Sequence, residues 1–192
     1  SSNPASDVNL KLPQADGSAG QFMKTDGSGN LSFGAVSAGI TMVDQWRLTT
    51  SFDSNNSDIN SNWERVDTGG FGQLGTGMTE SSGIFTFPST GIYSIDFQGA
   101  AARGANDSIR YVNFYIKTTT NNSSYSEASY GVTNIHNAND VYASAFINHI
   151  FDVTDVSTHK VKFNVSAENT LSWLGNSNTT NTGATFIRLG DT

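Results

Sequence analysis

Residues 83–97 read "GIFTFPSTGIYSIDF", two short apolar runs joined by Pro88-Ser89-Thr90-Gly91. Pro88 has no N–H to give to a ladder, which suits the end of a strand. Gly91 admits backbone conformations closed to other residues. Beyond it Tyr93, Ile95 and Phe97 alternate with Ser94 and Asp96. That is the two-residue period of a strand with one apolar and one wet face. The stretch predicts two strands around a tight corner.

The same period recurs along the chain. In "HKVKFNVSA" (159–167) Val161, Phe163 and Val165 share one face, and Lys160, Lys162 and Asn164 share the other. Further strand candidates are 40–52, 63–67, 108–120, 141–153 and 183–190. No segment holds the helical period over about 11 residues. The fold class expected is all-β, a jelly-roll β-sandwich. The polar stretches 53–62 and 118–140 read as loops, the second being the longest polar insertion.

The stretch "VYASAFINHIFDV" (141–153) departs from simple alternation. One face carries Val141, Ala143, Ala145, Ile147, Phe151 and Val153, but the other carries Tyr142, Phe146 and Ile150. A sandwich buries one face of each strand, so a second apolar face needs a cover. The cover is either another subunit or a loop of the same chain. Tyr142, Phe146 and Ile150 are the candidate subunit interface.

Composition bounds the function classes. A chain of 192 residues can bury a sizeable core without cross-links, and with no Cys it has no disulfide or thiolate chemistry. A net charge of -7 with 10 Lys+Arg lacks the basic footprint of a nucleic-acid binder or of a protein docking on anionic lipid. No apolar run approaches the roughly 20 residues of a membrane-spanning helix, so no membrane insertion is expected. The start, "SSNPASDV", has no basic or apolar leader pattern and no Met. It is expected to belong to a fragment or processed product of something longer.

Residues 1–38 form a separate N-terminal stalk or attachment segment, and 39–192 a head domain. The first contains a weak repeat, Asp16-Gly17-Ser18 and Asp26-Gly27-Ser28, and Asp-Gly favours tight turns. Three very short strands are expected near 8–12, 21–24 and 31–34, with a hinge at 37–40. Such strands cannot bury enough surface alone. The segment is either a flexible linker or a β-rich stalk ordered by oligomerising.

"SGIFTFPSTGIYSIDF" resembles the signature of the globular head of complement component one q, shared with the tumour necrosis factor jelly-roll superfamily. Gly83, Phe85, Thr86, Pro88, Gly91, Tyr93 and Phe97 carry the resemblance. "WERVD", "YASAFINHIFDVTDVSTHKVKFNVS" and "GATFIRLG" follow in family order, so it spans about residues 40–190. Where the family usually has Gly-Asp between the last two long strands, Val156-Ser157-Thr158 follows Asp155. No collagen repeat precedes the head. Instead "LPQADGSAGQFMKTDGSGNLSFG", about residues 9–34, resembles a segment common in bacteriophage tail-fibre and structural proteins. Together the resemblances imply a homotrimer of jelly-roll heads on an N-terminal stalk.

Catalytic patterns are absent from the sequence. His136, His149 and His159 lie at no metal-ligand spacing. There is no G-x-S-x-G elbow, and Glu64, Glu80, Glu127 and Glu168 are scattered. His149 reads as a core or interface histidine. Calcium would need several oxygens on one tight loop. Asp53, Asn55 and Asp58, or Asn137, Asn139 and Asp140, supply oxygens but no clear ligand set, so no cofactor is assigned. Tyr125, Tyr130 and His136 in 118–140, and Trp173 in 170–183, are the candidate ligand or receptor contacts. Polar loops with isolated aromatics suit a glycan or a protein surface.

The expected function is that of a non-enzymatic virion structural protein, a trimeric phage tail-fibre or receptor-binding head recognising a host surface. The alternatives are a capsid decoration protein or head fibre held to other virion proteins by its N-terminus, and a bacterial surface or spore-coat protein.

Overall fold

The computed structural model describes residues 9–35, 39–104, 108–136 and 138–192. Residues 37 and 38 of the expected hinge at 37–40, and Asn137, lie outside these residues. The chain divides into two compact units, Ser1–Gly39 and Ile40–Thr192.

The first unit is a hairpin of β1 (Gln21–Thr25) and β2 (Leu31–Ala35), paired antiparallel. Lys11 adds a parallel bridge to Asn30. The Asp-Gly turn forms as its chemistry dictates: the Asp26 carboxylate accepts the backbone N–H groups of Ser28 at 2.8 Å and Asn30 at 3.1 Å. Every residue of β1 is exposed.

The second unit carries β3 (Met42–Leu48), β4 (Thr50–Asp58), β5 (Trp63–Arg65), β6 (Thr79–Ser81), β7 (Ile84–Thr86), β8 (Gly91–Arg103), β9 (Tyr111–Thr119), β10 (Ser126–Asn134), β11 (Val141–Val153), β12 (Lys160–Asn176) and β13 (Gly183–Gly190). No helix occurs among the described residues. One layer runs β5-β3-β13-β8-β11, and the other runs β10-β9-β12 with β7 and β4 along the far side of β12. Hydrogen bonding is continuous through 11 strands because β12 is 17 residues long. Its first half pairs with β9, and Ser172 and Trp173 reach Ala102 and Ala101 of β8 in the other layer. The architecture is a jelly-roll sandwich.

The opening corner is pinned by its own tyrosine. The Tyr93 hydroxyl donates to the Ser89 carbonyl at 2.9 Å, and the ring packs on Phe87 at 4.7 Å. Gly91 has φ 146°, and a Cβ there would lie 2.5 Å from Arg188 Nε. Glycine is required by both backbone and space. Strand β8 then alternates buried and half-buried from end to end.

The core is aromatic. Phe85 sits among Trp46, Trp63, Phe163 and Phe186, with ring centroids 5.2 to 5.6 Å away. Phe97 of one layer stacks on Phe163 of the other at 4.6 Å. Edge-to-face and offset rings add to what area burial alone supplies. Two buried charges hold the outer segments. Asp44 is fully buried and accepts from Arg65 Nε at 2.8 Å, Trp46 Nε1 at 2.9 Å and the Met78 backbone at 2.7 Å. Arg47 is matched by Glu64, Asp67 and Thr68.

The two polar stretches expected to be loops, 53–62 and 118–140, each contain strand. Residues 50–58 form β4 because Asn56, Ser57 and Asp58 ladder onto Ser166, Val165 and Asn164. Within 118–140, Ser126–Asn134 form β10, an edge strand paired with β9. Edge strands tolerate polar residues on both faces, which hides them from an alternation test.

Candidate functional site

Two surfaces stand out, one on each layer. On β11, Tyr142, Phe146 and Ile150 point outward and are 72%, 65% and 51% exposed. They stand opposite Ala102, Gln98 and Ser94 of β8. Beside Phe146 a hollow of 320 Å³ is lined by Gln98, Gly99, Ser144 and Asn181. Strand β11 pairs only with β8 among the described residues, so it is also a sheet edge. Near it lies the other layer's edge strand: a Cβ on Gly131 of β10 would collide with the Ile147 side chain. No loop of the described chain covers the apolar stripe. His149 faces the other way, half-buried beside Phe151 with ring centroids 5.9 Å apart, and burial lowers its pKa.

The second surface is the outer face of the β10-β9-β12-β4 layer. Cross-strand register brings Tyr130, Tyr115, Asn164 and Asp58 into one row, and Lys117 and Lys162 into the next. Tyr130 is 54% exposed yet held in place: its hydroxyl donates to Asn113 Oδ1 at 3.1 Å, and its ring lies 5.2 Å from the Tyr115 ring. Asn113 Nδ2 in turn donates to Ser166 Oγ at 3.0 Å. Asp58 accepts from Lys162 Nζ at 2.6 Å, Lys117 Nζ at 3.3 Å and Asn164 Nδ2 at 2.9 Å. Partial burial pulls the Asp58 carboxyl upward, but the Lys162 and Asn164 hydrogen bonds and the two lysine charges outweigh it. The carboxyl is held below the usual range. Asp58 also lines a cavity of 160 Å³ with Phe52, Ile59 and Asn60.

Tyr125 reaches this face from the 120–125 turn. Asn121 builds the turn by accepting the Ser123 and Ser124 backbone N–H groups at 3.0 Å each. Lys162 Nζ sits 4.4 Å from the Tyr125 ring centroid, a cation–π contact. The Tyr125 hydroxyl is buried, and burial together with the Asp58 charge raises its pKa.

Of the expected contact residues, Tyr125 and Tyr130 share this face. His136 is exposed but lies beyond the opposite end of β10 from Tyr125, where its carbonyl accepts from Arg103 at 3.1 Å. Trp173 is not a contact residue. It is fully buried, its indole donates to the Ser54 carbonyl at 3.0 Å, and its ring meets Phe114 edge-on at 5.6 Å. The stretch 170–176 continues β12 instead of forming a loop, because β4 pairs with it at Leu171, Ser172 and Trp173.

Tyr111, Tyr115, Lys117 and Asp58 were missed as members of one surface. The alternation Tyr111-Asn113-Tyr115-Lys117 against Val112-Phe114-Ile116 was the available signal. It marks a wet face rich in tyrosine but does not say which other wet faces adjoin it. Among the described residues no group of three or more His, Asp or Glu side chains is arranged to hold a metal ion. Asp58, the strongest acidic candidate, is already matched by two lysines.

No family model matches the sequence, and no curated protein matches it. Solved structures do share the fold. The crystal structure of murine APRIL at pH 5.0 superposes with a TM-score of 0.56 at 13% identity, covering 77% of this chain and 98% of that one. Eiger TNF from S. frugiperda superposes with a TM-score of 0.60 at 11% identity, covering 81% and 96%. At such identity the likeness establishes the tumour-necrosis-factor-like jelly-roll fold and nothing about activity.

Proposed function

We propose that this chain is a non-enzymatic, self-associating surface head, a homotrimer carried on its N-terminal segment. In this reading it is a virion structural protein that recognises a host surface. One observation carries the self-association: the outward apolar stripe Tyr142, Phe146, Ile150 on an edge strand that pairs on one side only, with β8, among the described residues. An isolated head would hold three large apolar side chains in water, with only Ser144 and Asn148 between them on that face, and a second copy would cover them. The stripe sets the need for a partner copy, and the family resemblance of the corner motif supplies the number three. The phage setting rests on the resemblance of residues 9–34 alone. Three linked heads would amplify weak binding by each one.

A second reading, a capsid decoration protein or head fibre, draws on the N-terminal unit. Leu10, Leu12, Phe22 and Met23 are all exposed there. They suit attachment to other virion proteins. A bacterial cell-surface setting is the remaining alternative.

Light scattering on the purified 192-residue chain tests self-association. A mass of three chains is expected, and a monomer at micromolar concentration overturns the proposal. Binding of the intact protein to candidate host cells and to phage capsids, compared side by side, separates adhesin from decoration protein. Capsid binding without cell binding would leave the decoration reading standing.

A further inference from the structure

We propose that the outer face of the β10-β9-β12-β4 layer is a platform for a polysaccharide chain, stacked on Tyr130 and Tyr115 and hydrogen-bonded by the polar side chains around them. The proposal rests on the reading of the head as a surface-recognition module and names the class of molecule recognised.

Three observations carry it. First, tyrosine is concentrated there: Tyr111, Tyr115, Tyr125 and Tyr130 lie on this face, of 6 tyrosines in the chain. Tyrosine offers a flat apolar ring and a polar tip at low entropic cost, the combination that recognition surfaces exploit. Second, the exposed ring is fixed. Tyr130 is held by Asn113 at its hydroxyl and by Tyr115 at its face, and Asn113 is held by Ser166. A ring already ordered pays little on binding. Third, the face is charged and amide-bearing beside the tyrosines, with Lys117, Lys162 and Asn164 each hydrogen-bonded to Asp58.

That charge separates the ligand classes. Protein interfaces bury an apolar core depleted of charge, and the β11 stripe fits that description. The Tyr130 face does not. A polyhydroxylated chain suits it better. The C–H bonds of a sugar ring meet the negative face of tyrosine, while hydroxyl groups exchange hydrogen bonds with amide, ammonium and carboxylate groups. The sheet surface accommodates an extended chain more readily than a compact small molecule.

The test is affinity electrophoresis of the intact chain through gels containing dextran, mannan or alginate. Retardation by at least one is expected. Tyr130→Ala should weaken it about tenfold, a change of about 1.4 kcal/mol, and Tyr130→Phe should retain most of it because the ring remains. Lys162→Gln should weaken retardation by alginate more than by dextran or mannan if the chain recognised is acidic, and equally if it is neutral. No retardation in any gel overturns the platform, as does retardation of Tyr130→Ala equal to that of the unmodified chain. A changed mass of Tyr130→Ala in light scattering also overturns it, by placing Tyr130 in the subunit contact. Host-cell binding that persists without retardation sinks the platform alone and points to a protein receptor. Retardation without host-cell binding keeps the platform and sinks the host-recognition reading.

Discussion

Gly91 ends the corner whose sequence first suggested the fold, and it has no substitute. Its φ of 146° and the 2.6 Å that a Cβ would leave to the Gly190 carbonyl act together. Gly91→Ala should lower stability by about 1–3 kcal/mol in urea unfolding, with the larger value expected because Arg188 and Gly190 must also shift. At Asp58 the question is pH. Its carboxyl has a folded-state pKa below the ordinary 3.8. The ionised form is therefore favoured by folding, and its contribution is present above 3.8 and lost as pH falls through the lower folded value. Asp58→Asn should thus be less stable than the parent near neutrality, with the gap closing in acid. A gap that persists undiminished in strong acid would assign the loss to packing. Because Asp58 is partly exposed, the effect is modest.

Strand β11 illustrates what one element does with two faces. Its inward residues Ile147, Phe151 and Val153 close the core, and its outward residues Tyr142, Phe146 and Ile150 stand in water. Substitutions two classes apart should follow. Phe146→Asp should leave circular dichroism unchanged and reduce the light-scattering mass to one chain. Phe163→Ala, on the inward face of β12, should instead cost about 3–5 kcal/mol of folding stability. If Phe146→Asp unfolds the chain, the stripe is part of the subunit's own core and not a contact between copies. The bounds 141–153 and 183–190 were legible in the sequence because apolar residues two apart mark the buried face of each, Ala143, Ala145 and Ile147 in one and Ala184 and Phe186 in the other. Strands β4 and β10 were not, since Asn, Ser and Thr interrupt any apolar period in them; β4 is ordered by the distant strand β12 and β10 by its hairpin partner β9.

At the scale of the whole molecule, the head contains its core entirely within Ile40–Thr192. A fragment of those residues should unfold with the same midpoint as the full chain in a thermal melt; a large drop would show that residues before 40 contribute to the head's stability. By itself the sequence determined the all-β class, the corner at Pro88–Gly91 and the doubly apolar strand. Each of these depends on neighbours a few residues apart, where period and turn chemistry operate. Only the tertiary structure decided that Trp173 is core, that Tyr125 and Tyr130 share a face with Tyr115, and that Asp58 sits between Lys117 and Lys162. Those groupings are set by strand pairing across more than a hundred residues in the case of Asp58 and Lys162. Local periodicity assigns a side chain to a face, and the pairing of distant strands determines which faces meet.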